Sequence, residues 1–141
     1  MSKKKRRYKS KLEIANQYLN VWHYKGKLTE EEITDTVLYG YSSFERMKTD
    51  PNPQSMYDMI TFYNITCIIQ EMGYDAIPAE HVDTIYSELI AMRERYRSTK
   101  ALALSGELVR LFPYVLEAHA KQVSKASRSE LLKALEMHKN A

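Results

Sequence analysis

The chain has 141 residues, of which 44% are hydrophobic and 28% charged; this suits one folded domain with its own core and excludes a disordered polymer. Four Gly and four Pro are too few for the many turns of a sandwich or barrel. The net charge of +3 hides an asymmetry: Lys3, Lys4, Lys5, Arg6, Arg7, Lys9 and Lys11 come with no acidic neighbour, and the remaining 14 basic and 18 acidic residues leave the body at −4.

Residues 1–10 read as a disordered basic arm, because a run of like charges stays solvated, and 11–141 as a single helical domain. Ser10-Lys11-Leu12-Glu13 interrupts before any apolar stretch, so a secretory signal is not expected and the setting is read as cytoplasmic. Leu12, Ala15, Tyr18, Leu19 and Trp22 recur at three- and four-residue spacing and predict a helix over about 11–24, stopped by Gly26. Thr29-Glu30-Glu31-Glu32 is a capping box that opens a second helix. Ile33, Val37, Tyr41 and Phe44, with Leu38, form its expected stripe, and Gly40 weakens it.

Asp50-Pro51-Asn52-Pro53 is a break, after which Asn52 caps a third helix with Pro53 at its first position. That helix carries Met56, Met59, Ile60, Tyr63, Cys67 and Ile68, widened by Phe62, Ile65, Ile69 and Met72. A helix apolar over most of its circumference belongs in the centre of a bundle; it is too polar to span a bilayer. Pro78-Ala79-Glu80 opens a fourth helix with Val82, Ile85, Leu89, Met92 and Tyr96, and Ser98 to Leu104 reads as a connection. Ser105 caps a fifth with Leu108, Leu111, Phe112, Val115, Leu116 and Val123, where Pro113 predicts a kink or break near Leu111. Ser127-Arg128-Ser129-Glu130 is a second capping box, starting a short last helix with Leu131, Leu132 and Leu135. The expected fold is therefore all-α: a compact antiparallel bundle of five to six helices with a flexible basic N-terminal tail.

Catalytic patterns are missing. There is no phosphate-binding glycine loop, nucleophile elbow or His-Glu-x-x-His helix. His23, His81, His119 and His138 are scattered and read as surface or half-buried polar residues. The lone Cys67 sits in an apolar run and reads as core. Neither an enzyme nor a metal or cofactor is expected.

The arm is the strongest functional signal. Lys3, Lys4, Lys5, Arg6, Arg7, Lys9 and Lys11 beside a polyanion would neutralise phosphates and release counterions, and Tyr8 adds a ring that can stack on a base. A solubilising tail is the plain alternative; a membrane surface is disfavoured because no apolar face accompanies the charges. Arg93, Arg95, Arg97 and Lys100 frame Tyr96 as a second basic cluster, although a helix C-terminus attracts cations in any case. Eleven tyrosines leave a protein-binding face open. Tyr18, Tyr41, Tyr63 and Tyr96 are expected on core stripes, and Tyr8, Tyr24, Tyr39, Tyr57, Tyr74 and Tyr114 towards solvent.

Ser2-Lys3-Lys4-Lys5-Arg6-Arg7-Tyr8-Lys9-Ser10-Lys11, Met72-Gly73-Tyr74 and Leu116-Glu117-Ala118-His119 together resemble a group of small helical proteins of bacteriophages and prophages with a Lys/Arg-rich N-terminus. The resemblance implies a bacterial host cytoplasm and an accessory role, and brings no active site whose residues can be carried over. The expectation is a nucleic-acid-associated accessory or regulatory protein. Two alternatives stay open: an inhibitor or adaptor acting on a host protein through tyrosines, and a homo-oligomeric assembly protein.

Overall fold

Local capping chemistry places the helix boundaries in the computed structural model, which describes residues 26–140. The arm and the helix expected over 11–24 lie outside the described residues. The elements are α1 (Glu30–Thr49), α2 (Pro53–Glu71), α3 (Ala79–Thr99), α4 (Gly106–Lys125) and α5 (Arg128–Lys139). Thr29 Oγ1 accepts from the Glu32 amide at 3.2 Å while the Glu32 carboxylate accepts from the Thr29 amide at 2.9 Å. Ser127 and Glu130 repeat this box at α5. Asn52 and Ser105 each accept from a first-turn amide, at 2.9 and 3.1 Å. Each such cap contributes about 1 kcal/mol. At the end of α3 Lys100 takes the left-handed conformation, φ 62°.

α4 passes through Pro113 without the break that its ring predicts. Pro113 lies on the exposed side, whereas Leu111, Phe112, Val115 and Leu116 around it are fully buried. The amide that proline lacks is therefore lost on the wet side, where water can serve the freed carbonyl, and core packing carries the helix across.

α2 is the central helix and touches α1, α4 and α5, with α3 against α4. Its Met56, Met59, Phe62, Ile65 and Ile69 are buried, as expected of the most apolar segment. One cluster joins α1 through α4 around Met59, Phe62, Leu89, Leu111 and Phe112; a second joins Leu28, Ile65, Ile69, Val123, Leu131 and Leu135 under α5. Cys67 is half-buried against the first cluster, and burial pushes its thiol pKa up.

The expected stripe of α1 needs correction. Tyr41 and Leu38 are exposed, and the buried face is Thr36, Gly40, Ser43, Phe44 and Met47. Small residues at the centre of that face let α2 approach closely: a Cβ at Gly40 would stand 2.4 Å from two ring carbons of Phe62. The hydroxyls of Thr36 and Ser43 donate to carbonyls of their own helix, so neither is left unsatisfied.

The bundle has two distinct ends. Phe44 stacks on Phe112 with ring centroids 5.4 Å apart, and far from them Arg128, at the start of α5, grips Glu32, at the start of α1, through both guanidinium nitrogens. α1 and α4 are therefore antiparallel. The end of α1, the start of α2, the end of α3 and the start of α4 share one end of the bundle.

Candidate functional site

That shared end is cationic. It gathers Arg46 and Lys48 from α1, Arg93, Arg95, Arg97 and Lys100 from α3, and Arg110 from α4, against Glu45, Asp50, Glu94 and Glu107. The opposite end carries Glu30, Glu31, Glu32, Glu71, Asp75, Glu80 and Glu130 against Lys27, Lys125 and Arg128.

Several cations are already committed. Lys48 pairs with Glu45 at 2.7 Å and Arg110 with Glu107 at 2.6 Å, while Arg93 and Arg97 share Glu94 at 3.6 and 3.4 Å. Exposed pairs of this kind contribute under about 1 kcal/mol and are readily exchanged for a phosphate. Arg95 and Lys100 have no carboxylate partner among the described residues; Lys100 Nζ lies 5.2 Å from the Tyr96 ring centroid.

The four cations of α3 do not share one face. Spacing of four residues sets Arg93 and Arg97 together, with Lys100 next to them, whereas Arg95, two residues from each, projects to the other side of the half-buried Tyr96. Seven residues before Arg93 stands Tyr86, 54% exposed. Tyr86, Arg93 and Arg97 thus line one outward flank of α3, a ring followed by two guanidinium groups. The sequence reading omits Tyr86; its spacing to Arg93 and Arg97 is the available signal. Lys3, Lys4, Lys5, Arg6, Arg7, Tyr8, Lys9 and Lys11 lie outside the described residues, as do Tyr18, Tyr24 and His23.

The tyrosines do not assemble into one face. Tyr63 is buried, donating to the Val82 carbonyl at 3.3 Å, and Tyr74 donates to Glu130 at 2.6 Å. Tyr39, Tyr57 and Tyr96 are half-buried. Tyr114 is 40% exposed and packs on His81, away from Tyr41 and Tyr86.

His119 departs from its expected surface or half-buried place. It is 1% exposed, its ring is 4.2 Å from that of Phe62, and its Nδ1 is 3.3 Å from Thr66 Oγ1. Burial pushes its pKa down to about 3, so the ring is neutral. One turn on, the buried Gln122 amide donates to the carbonyls of Thr66 at 3.0 Å and Asp75 at 2.6 Å. This polar seam ties α4 to α2 and to the loop before α3. The expectation fails because His119 lies on the inner stripe of α4, between Val115 and Val123, and periodicity alone does not disclose a polar partner on α2.

A shallow cavity of about 180 Å3 opens beside the seam, lined by Asp75, Pro78, Tyr114, Glu117 and Lys121. Its charges are internally matched: Lys125 meets Asp75 at 2.7 Å and Lys121 meets Glu117 at 3.3 Å. Asp58, half-buried on α2, has its carboxyl pushed up to about 6 by partial burial, opposed by hydrogen bonds from Gln54 and Tyr39. No three His, Cys, Asp or Glu side chains come together for a metal among the described residues, and no described helix is long and apolar enough to cross a membrane.

Fold and surface together define a five-helix all-α bundle with one cationic end, among the described residues. Comparison with family models, with curated proteins and with solved structures finds no match.

Proposed function

We propose that this protein binds nucleic acid through phosphate contacts, led by the basic arm (Lys3, Lys4, Lys5, Arg6, Arg7, Lys9 and Lys11) and seconded by the flank of α3. The observation that carries the reading is the alignment of Tyr86, Arg93 and Arg97 along one flank of α3 that runs toward the end of the bundle where other cations gather. Guanidinium groups exchange an exposed carboxylate for a phosphate with little loss, and an exposed ring offers a stacking surface. Arg95 serves a different face and contributes less. No described helix carries the amide-rich face of a major-groove reader, so the binding is sequence-tolerant. Its role is that of an accessory or regulatory protein.

A gel-shift salt titration with full-length protein and a variant lacking residues 2–11 tests this. Affinity should fall steeply with salt, and the log–log slope should shrink by about one for each phosphate contact removed. In the full chain, Arg93→Ser with Arg97→Ser should weaken binding further by a uniform factor across sequences. Binding that ignores salt, or survives loss of the arm unchanged, would refute the assignment.

A further inference from the structure

We infer that the outer furrow between α2 and α3 takes an unstacked base of a single-stranded nucleic acid, while Arg93 and Arg97 hold its phosphates. This names the ligand class of the proposed function and rests on that reading. Two contacts fix which flank of α3 faces α2. Tyr63 on α2 donates to the Val82 carbonyl at 3.3 Å, and its ring centroid lies 6.5 Å from that of Tyr86. His81, on the opposite flank of α3, packs on Tyr114 of α4. Val82, Tyr86, Ile90, Arg93 and Arg97 follow one another at spacings of three and four, so all stand on the α2 side. Tyr86 is nevertheless 54% exposed. A ring turned toward a neighbouring helix and still wet borders a furrow, not a packed seam.

The opposite wall comes from α2. Ile60 and Cys67, three residues before and four after the buried Tyr63, are half-buried on the same side of that helix, as Ile90 is on α3. The furrow is therefore apolar and aromatic around Tyr86, and it turns cationic toward the end of α3. Arg93 stands about 10 Å beyond Tyr86 along the axis and Arg97 about 6 Å further, at 1.5 Å per residue. Asp83, one turn before Tyr86, gives the far end the opposite charge.

That order selects the occupant. An apolar slot beside an exposed ring, continued by two guanidinium groups one turn apart, matches a flat base joined to successive phosphates. A duplex keeps its base faces inside the stack, and freeing one costs as much as a single ring returns by stacking. Only a strand already unpaired gains from the furrow.

The test compares oligothymidylate, an abasic strand of the same length and a duplex, each titrated with salt against the full chain. Tyr86→Ser should weaken oligothymidylate binding about five- to hundred-fold at every salt concentration. Its log–log slope should stay unchanged, because no phosphate contact is lost. The abasic strand and the duplex should bind Tyr86→Ser as they bind the parent, and Tyr86→Phe should behave as the parent throughout. Ile90→Gln gives the same reading from the next turn should Tyr86→Ser lose helical circular dichroism. No loss on oligothymidylate, or an equal loss on all three ligands, overturns the inference and leaves arm-led binding standing. A light-scattering mass that doubles with concentration and stays single in Tyr86→Ser, with oligothymidylate binding unaffected, gives the furrow to a second copy and overturns it too. Ring-dependent binding of oligothymidylate that survives deletion of residues 2–11 unchanged sinks the proposed function alone; no binding to any of the three sinks both.

Discussion

Gly40→Ala puts two physical effects in direct opposition. By helix propensity alone, alanine at the middle of α1 gains about 1 kcal/mol. Its Cβ, however, would meet Cε2 and Cζ of Phe62 at 2.4 Å and Cδ2 at 2.9 Å. Phe62 is 2% exposed and rests on His119 behind it, 4.2 Å between ring centroids, so the ring has no free space into which to withdraw. Overpacking of this kind costs about 1–3 kcal/mol, and here the backbones of α1 and α2 must separate to relieve it. Contacts as short as 2.4 Å put this case in the upper part of that range, about 2–3 kcal/mol, so a net loss of about 1–2 kcal/mol is expected after the propensity gain is subtracted. For a domain of this size that lowers Tm by roughly 3–8 °C. Urea and thermal denaturation followed by circular dichroism measure it, and Phe62→Leu supplies the control. In the Gly40→Ala background, Phe62→Leu should cost clearly less than it does alone, with a coupling near 1 kcal/mol. A Gly40→Ala protein as stable as the parent, or more so, would refute the close-approach argument.

His119 titrates at about 3 folded against 6.5 unfolded, so its contribution is complete above pH 6.5 and lost as pH falls toward 3. The urea midpoint should report about 2 kcal/mol less stability from this group at pH 5 than at pH 7, from 1.36 kcal/mol per pH unit below 6.5. His119→Met should remove that part of the pH dependence, and an unchanged pH 7-to-5 difference would count against the buried neutral ring. Arg128→Met leaves the Glu32 carboxylate without its bidentate partner and should cost about 2–3 kcal/mol, below the cost for a fully buried pair because Glu32 is partly wet. Glu32 is held at about 2, first by Arg128 and then by the Thr29 amide, so this stabilisation is present above pH 4.5 and fades as pH falls toward 2. In Arg128→Met the fading should be shallower, and additive costs for Arg128→Met and Glu32→Gln in a double-mutant cycle would deny the pairing.

Element boundaries were legible in the sequence because capping is local. Thr29, Asn52, Ser105 and Ser127 each stand next to the amides they cap, and those boundaries agree with the structure. The central place of α2 was legible for a similar reason, as its own apolar circumference announces it. Contacts between helices were less readable. Periodicity prefers large apolar residues, so Tyr41 and Leu38 look like core, whereas the buried face of α1 is built from Thr36, Gly40 and Ser43 to admit Phe62. His119 has the same cause: its burial depends on Thr66, fifty-three positions away. The charges of Arg93, Arg95 and Arg97 are plain in the sequence, but their division between two flanks follows from which stripe of α3 faces inward.

The separation of charge between the two ends of the bundle has a kinetic consequence. A body cationic at one end and anionic at the other feels a torque in the field of any polyanion, attracted by one pole and repelled by the other. Unproductive orientations are thus thinned out before contact, which raises the encounter rate at low ionic strength more than the net charge alone would allow. Above about 0.1 M salt the Debye length falls below 10 Å, shorter than the helices themselves, and each pole acts only on what is already beside it.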